Sequence, residues 1–235
     1  MLYLPRRLRV PHQAAARSRH SLTRRHAIGM AFLFVGVLSL APLPVQAAPL
    51  ALNASDKALI AQVETYLNAQ KAITANFLQI SPDGSTRNGK AWLVRPGKMR
   101  FAYDPPDPQL LIAGFGLLVY HDPQLGQTTN IPLSATPLGI LLAPHVDLES
   151  AGVYVTNINR QPGQLNITLV RRGKEAAGSL TLTFSTDPLE LDAWTVTDAQ
   201  GKQTLVHLYN IAPGGPFPNS LFEYNPPSAP NTSGG

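Results

Sequence analysis

Few residues of this chain have the types and spacing that chemistry needs. Beyond position 47 the histidines are His121, His145 and His207, each on a different segment. His121 is followed directly by Asp122. A His–Asp pair works as a base only beside a nucleophile, and no G-x-S-x-G supplies one. The dipeptide reads as a strand end before the turn at Asp122-Pro123. The acids Asp83, Asp104, Asp107, Asp122, Asp187 and Asp198 are scattered, mostly in turn sequences. No H-E-x-x-H, P-loop or dinucleotide fingerprint occurs. The chain has no cysteine, which excludes disulfides and thiolate metal sites. No catalytic residue, cofactor or metal site is assigned, and the residues argue for binding rather than turnover.

The residue that asks for an explanation is an arginine. In "WLVRPGKMRFAYDPP" (Trp92–Pro106), Arg95 stands beside Pro96-Gly97, close to Leu93, Met99 and Phe101. Two short strands joined by a tight turn account for the pattern. A two-residue turn places Arg95 opposite Lys98, two like charges facing outward. A three-residue turn places it opposite Met99, on the face of Phe101 and Tyr103. The first has the better turn signal and the second avoids repulsion across the ladder.

The elements that must position such a residue are mostly strands. Alternation and turn signals predict eleven, near 73–80, 89–95, 98–103, 109–113, 117–121, 126–131, 153–160, 164–171, 178–185, 191–197 and 202–210. Short connections make neighbours antiparallel. A sheet of this size curls into a barrel or half-barrel, so the fold class is mainly β with α. One helix is predicted over Ser55–Gln70, with Ser55 as N-cap and Leu59, Ile60, Val63, Tyr66 and Leu67 on one face. A second, Thr136–Pro144, has a capping threonine, Pro137 at the first helical position and Pro144 as its stop. Its Leu138, Ile140, Leu141 and Leu142 suit either a core helix or a lid.

The ends read differently. Residues 1–47 hold seven arginines and no acid, then an apolar run from Ala27 to Val45 and the small-residue site Val45-Gln46-Ala47. These are the parts of a cleaved secretory signal. Export by the Sec route is expected, with the paired arginines of "TRRHAIG" leaving a twin-arginine route open. The whole chain has 19 basic and 14 acidic residues, so removing the seven leader arginines leaves 12 against 14, a net charge near −2. That removes the support for a nucleic-acid partner. A single folded domain is expected over 48–225, and the Pro-, Ser- and Gly-rich 226–235 is expected to be disordered.

Between Asn76 and Leu142 the chain resembles the periplasmic outer-membrane lipoprotein carrier family, LolA. The matching features keep the family's order: Phe77-x-Gln79; Gly89 before Arg95-Pro96; Phe101, Tyr103 and Pro106; Gly114; Tyr120-x-Asp122-Pro123; Gln127; then Thr136-Pro137 and Leu141-Leu142. The closing "LFEYNPP" resembles the family's terminal motif. Ala113 and Leu118 depart from the family's acid and aromatic, and Phe115 stands at a turn.

The resemblance implies a half-barrel whose apolar cavity takes the acyl chains of a lipoprotein. It implies that Arg95 latches the barrel to lid helices, which favours the inward register and the lid role for Pro137, Leu138, Ile140, Leu141 and Leu142. The cavity is then expected to be lined by Leu59 and Val63 from the helix and by Phe77. Leu93, Met99, Phe101 and Tyr103 would complete it from the hairpin. Implied partners are acylated lipoproteins, an inner-membrane lipoprotein-releasing ABC transporter (LolCDE-like) and an outer-membrane receptor (LolB-like). A periplasmic monomer is expected. A second reading is a LolA-like domain that senses lipid or a stress ligand and regulates a protein partner.

Overall fold

The computed structural model describes residues 48–225; the expected leader (1–47) and tail (226–235) lie outside the described residues. Helix α1 (Ala54–Ala69) opens the fold. Eleven strands follow: β1 (Ala72–Ile80), β2 (Thr86–Val94), β3 (Lys98–Tyr103), β4 (Leu110–Gly114), β5 (Leu117–Asp122), β6 (Gln127–Pro132), β7 (Val153–Gln161), β8 (Gln164–Arg171), β9 (Ser179–Thr186), β10 (Leu189–Thr197) and β11 (Gln203–Pro213). Every strand lies within three residues of its expected bounds, because alternation and turn chemistry are local signals.

The strands form one antiparallel sheet in the order β6-β5-β4-β3-β2-β1-β11-β10-β9-β8-β7. Strand β1 pairs with β11 in the middle, and β6 and β7 are the two edges. The sheet is not closed, yet it curls strongly. Phe101 of β3 and Trp194 of β10 have ring centroids 5.9 Å apart. Those strands are four steps apart in the sheet, about 19 Å if it were flat. Register shifts within β1–β11, β9–β10 and β7–β8 add local twist.

Helix α1 covers part of the inner face. Ile60, Val63 and Leu67 are buried, while Leu59 and Tyr66 pack against the core at its margin. The helix begins two residues earlier than a Ser55 cap requires. Asn53 is the N-cap: its Oδ1 accepts from Asp56 N at 2.9 Å, and Asp56 Oδ2 accepts from Asn53 N at 3.0 Å. This reciprocal box satisfies two otherwise orphaned donors, an advantage Ser55 lacks with Ala58 three residues on.

The connection from β6 to β7 crosses from one sheet edge to the other and carries the second predicted helix. It is not an α-helix. Two 3₁₀ turns, Leu133–Ala135 and Pro137–Ile140, take its place. Thr136 does cap the second, accepting from Gly139 N through Oγ1 at 3.3 Å, with Pro137 at its start. The six residues between Pro137 and Pro144 are too few to sustain a costly α nucleus.

Candidate ligand-binding site

The β2–β3 turn follows neither expected register. Val94 pairs with Lys98 and Leu93 with Met99, so Arg95, Pro96 and Gly97 form the loop and Arg95 faces no partner in the ladder. Its position is set by tertiary contacts instead. The backbone N–H of Arg95 donates to Lys71 O at 2.9 Å, and its guanidinium donates to Leu67 O in the last turn of α1. Leu67 O already accepts from the C-cap Gln70 N–H at 3.2 Å, and the guanidinium supplies its second lone pair with a partner. Burial pushes the Arg95 pKa below its ordinary value, with Tyr66 opposing the shift. One residue on, Gly97 N donates to Leu142 O at 2.9 Å. The turn thus holds α1 by a side chain and the β6–β7 connection by its backbone. Arg95, Leu93 and Leu141 border a small void of about 20 Å³.

A second arginine holds the other end of that connection. Arg171, at the end of β8, donates from Nε to Thr136 O at 3.1 Å, and burial lowers its pKa. Lys174 Nζ donates to Ser134 O at 3.3 Å. The sequence carried a signal for Arg171 that was missed. It continues the alternation of the buried Leu165, Ile167 and Leu169, so it lies on the inner face beside a turn, as Arg95 does. Helix α1 fastens the descending part: Asn68 exchanges two 2.9 Å bonds with the backbone of Val146, and Glu64 accepts from Leu148 N at 2.7 Å. Desolvation raises the Glu64 pKa, opposed by that bond.

Beneath the connection lies an apolar cavity of about 430 Å³, bordered by Met99, Phe101, Leu111, Leu118, Leu138 and Trp194. The volume is within the range of small-molecule sites, about 300–1,000 Å³. Met99, Phe101, Pro137 and Leu138 reach it among the residues expected at the site. Val63 and Phe77 are fully buried in close-packed core, and Leu59 lies at the core's margin. Ile140, Leu141 and Leu142 are buried but lie away from this cavity. Tyr103 packs edge-on against Phe77, 5.2 Å between centroids, and donates to Gln79 Oε1 at 2.9 Å. Trp194 was not expected at the site, because one strand's alternation does not say which distant strand it will meet.

His121 and Asp122 form no pair. Adjacent strand residues face opposite sides of the sheet. His121 Nδ1 lies 3.0 Å from Thr128 Oγ1 and 2.9 Å from Tyr224 Oη, whereas Asp122 accepts from the N–H groups of Gln124 and Leu125. Among the described residues no group of three or more His, Cys, Asp or Glu side chains is placed to hold a metal, and no helix is long and apolar enough to cross a membrane.

An unclosed antiparallel sheet, covered by one helix and a capped turn above an apolar cavity, defines a half-barrel. The family model for the outer membrane lipoprotein carrier protein LolA matches residues 68–225, and the chain belongs to that family. An outer-membrane lipoprotein carrier protein of Methylococcus capsulatus is 26% identical over 176 residues, covering 71% of this chain and 83% of its own length. One from Bordetella pertussis is 28% identical over 177 residues, covering 71% and 81%. A solved LolA superfamily protein from Nitrosomonas europaea is 9% identical, with a TM-score of 0.38 and coverage of 70% and 97%. The family is one of carriers, not of enzymes.

Proposed function

We propose that this chain is a periplasmic chaperone. It binds the acyl chains of lipoproteins released from the inner membrane by a LolCDE-like transporter and passes them to a LolB-like outer-membrane receptor. The observation that carries this reading is the apolar cavity beneath a segment held by removable hydrogen bonds rather than by deep packing alone. Burying acyl chain is worth about 0.8 kcal/mol per methylene, so a chain of about 16 carbons holds roughly 12 kcal/mol against water. A carrier must supply most of that and still let go. Bonds from a charged donor, about 1.5–3 kcal/mol each, reform when the lid closes over an empty cavity and so favour release. Arg95 is the latch on the α1 side, and Arg171 serves the same end on the β8 side.

The test is capture of the cargo. Protein isolated from the periplasm should carry acylated protein, and its N-terminus should be Ala48. Photo-crosslinkers at Met99 and Phe101 should capture lipoprotein. Those at Lys98 and Arg100 should not, since these side chains meet Asn219 and Leu221 on the opposite face. Capture from the outer-face positions alone would reject the cavity as the site, and a bound small ligand without acylated protein would point to a sensor.

A further inference from the structure

The inner face of β1–β6 changes character along the strand direction. The register places its residues in rows across the sheet. Ile73, Leu93, Met99, Ala113, Leu118 and Ile131 form a wholly apolar row. The next row runs Ala75, Ala91, Phe101, Leu111, then Tyr120 and Thr129. Phe77, Gly89 and Tyr103 follow, with Asp122 and Gln127 further along, and the last pair is Gln79 with Arg87. The apolar cavity therefore ends against a polar collar. Gln79 and Leu111 border the cavity itself. Thr204 and Gln200 border it from β11 and the turn before it, at the same end, because Gln79 pairs with Val206 and Ile80 with Leu205.

The collar is built, but not saturated. Arg87 donates from Nη1 to Ser81 Oγ at 3.2 Å and to Ser85 Oγ at 3.4 Å. Its Nε is shielded from solvent and has no hydrogen-bond partner, with Asp107 3.6 Å away. Gln109 is 7% exposed; its Nε2 donates to Asp122 at 3.4 Å, while Oε1 has no partner. These are the two shielded side-chain polar atoms without a hydrogen bond among the described residues. Shielded groups of this kind are costly and ask for a partner. Arg87 and Asp107 also act electrostatically on the Tyr103 and Tyr120 hydroxyls, which places all four groups in one neighbourhood. Burial raises both phenol pKa values, so both remain neutral donors.

We infer that this collar is a subsite for the neutral ester linkage that joins acyl chains to a glyceryl head, with Tyr120 and Arg87 donating to its carbonyl oxygens. The assignment rests on the acyl-carrier reading and adds the orientation of the cargo: chain tails toward the Met99 row, linkage at the Arg87 row. A neutral acceptor fits better than a carboxylate because Asp107 already balances the Arg87 charge. Gln109 Oε1 offers an acceptor for a glyceryl hydroxyl.

The experiment uses protein purified from the periplasm and stripped of lipid, with three probes: 1-monopalmitoylglycerol, palmitate and the purely apolar N-phenyl-1-naphthylamine. Tyr120→Phe and Arg87→Met should each weaken monopalmitoylglycerol about three- to tenfold, the worth of one or two lost hydrogen bonds. Both should leave the apolar probe unchanged. Asp107→Asn should improve palmitate relative to the ester, since it leaves the guanidinium unbalanced. Unaltered ester binding in both variants would overturn the subsite. So would equal losses for all three probes, which would mean a reshaped cavity. Palmitate binding tighter than the ester, with that preference lost in Arg87→Met, would replace it by a carboxylate site. If the unsubstituted protein binds none of the probes, the carrier reading falls and the subsite with it.

Discussion

Two regions of the same inner face are packed to different ends. Around α1, Phe77 and Phe184, the side chains of Ile60, Val63 and Leu67 are at most 1% exposed, and Tyr66 meets Phe184 edge-on at 6.1 Å. Under the β6–β7 connection, comparably buried residues such as Met99 and Phe101 border an empty space of about 430 Å³. The first region is a close-packed core, where volume changes are felt at once. The second forgoes contacts that a filled core would make and is covered by a segment fastened with hydrogen bonds. The first is built for stability, and the second leaves the space that the proposed carrier role uses.

Phe77→Ala should break the packed region most severely, costing about 3–5 kcal/mol for the lost ring and the cavity left behind. Gly89→Ala should come close. An added Cβ would lie 2.2 Å from Ala102 O and 2.7 Å from the Phe77 ring, and neither the ladder backbone nor a fully buried ring can give way. Urea midpoints of both variants measure this. A midpoint within error of the unsubstituted protein for both would mean the two regions share the load evenly.

On the lid side the large effect should be on cargo rather than stability. Arg95→Leu removes the bond that ties the Arg95–Gly97 turn, and through Gly97 N the β6–β7 connection, to Leu67 O of α1, so the loaded state should gain about tenfold or more over the closed empty one. Loading should continue while transfer of labelled lipoprotein to a purified receptor stalls. Arg95→Lys should fall between, keeping charge but losing the planar fork. Complete discharge by the leucine variant would make Arg95 a purely structural clamp on α1.

Gly139→Ala sharpens the contrast with Gly89. Its Cβ would meet Leu133 O at 2.5 Å and the Arg171 guanidinium at 2.6 Å, but the second of these is the far end of a flexible side chain, and on the lid reading the first lies in a segment that shifts. Stability should fall by only about 1 kcal/mol, at the low end for overpacking. Uptake of an apolar fluorescent probe should become faster. A stability loss matching Gly89→Ala would show that the lid belongs to the core.

The smallest effects belong to the start of α1. Asn53→Ala should cost about 1 kcal/mol. Asp56 has its pKa lowered by the Arg160 guanidinium at 2.6 Å and then by the Asn53 N–H. A lowered carboxyl pKa contributes stability that is complete above the ordinary carboxylate value and lost as pH falls through the lower folded one. Asp56→Asn should flatten that part of the acid unfolding curve and change little near neutrality.

The strands, the apolar stripe of α1 and the Thr136-Pro137 start of the lid turn were legible in the sequence, because each depends on neighbours within a few residues. The start of α1 was equally local but ambiguous, since Asn53 and Ser55 both offer a capping oxygen and only the reciprocal bond from Asp56 decides for Asn53. Other features had no local cause. The sequence offered two registers for Arg95, and the structure took neither, because Leu67 O and Lys71 O, remote in the chain, draw the arginine out of the ladder. Trp194 meets Phe101 only because the sheet curls. Alternation marked Phe77 and Phe101 alike as inward-facing, yet one fills a core and the other borders a void. Side-chain direction is written in the local chain; the volume left between facing walls is set only when all the strands and the lid are in place.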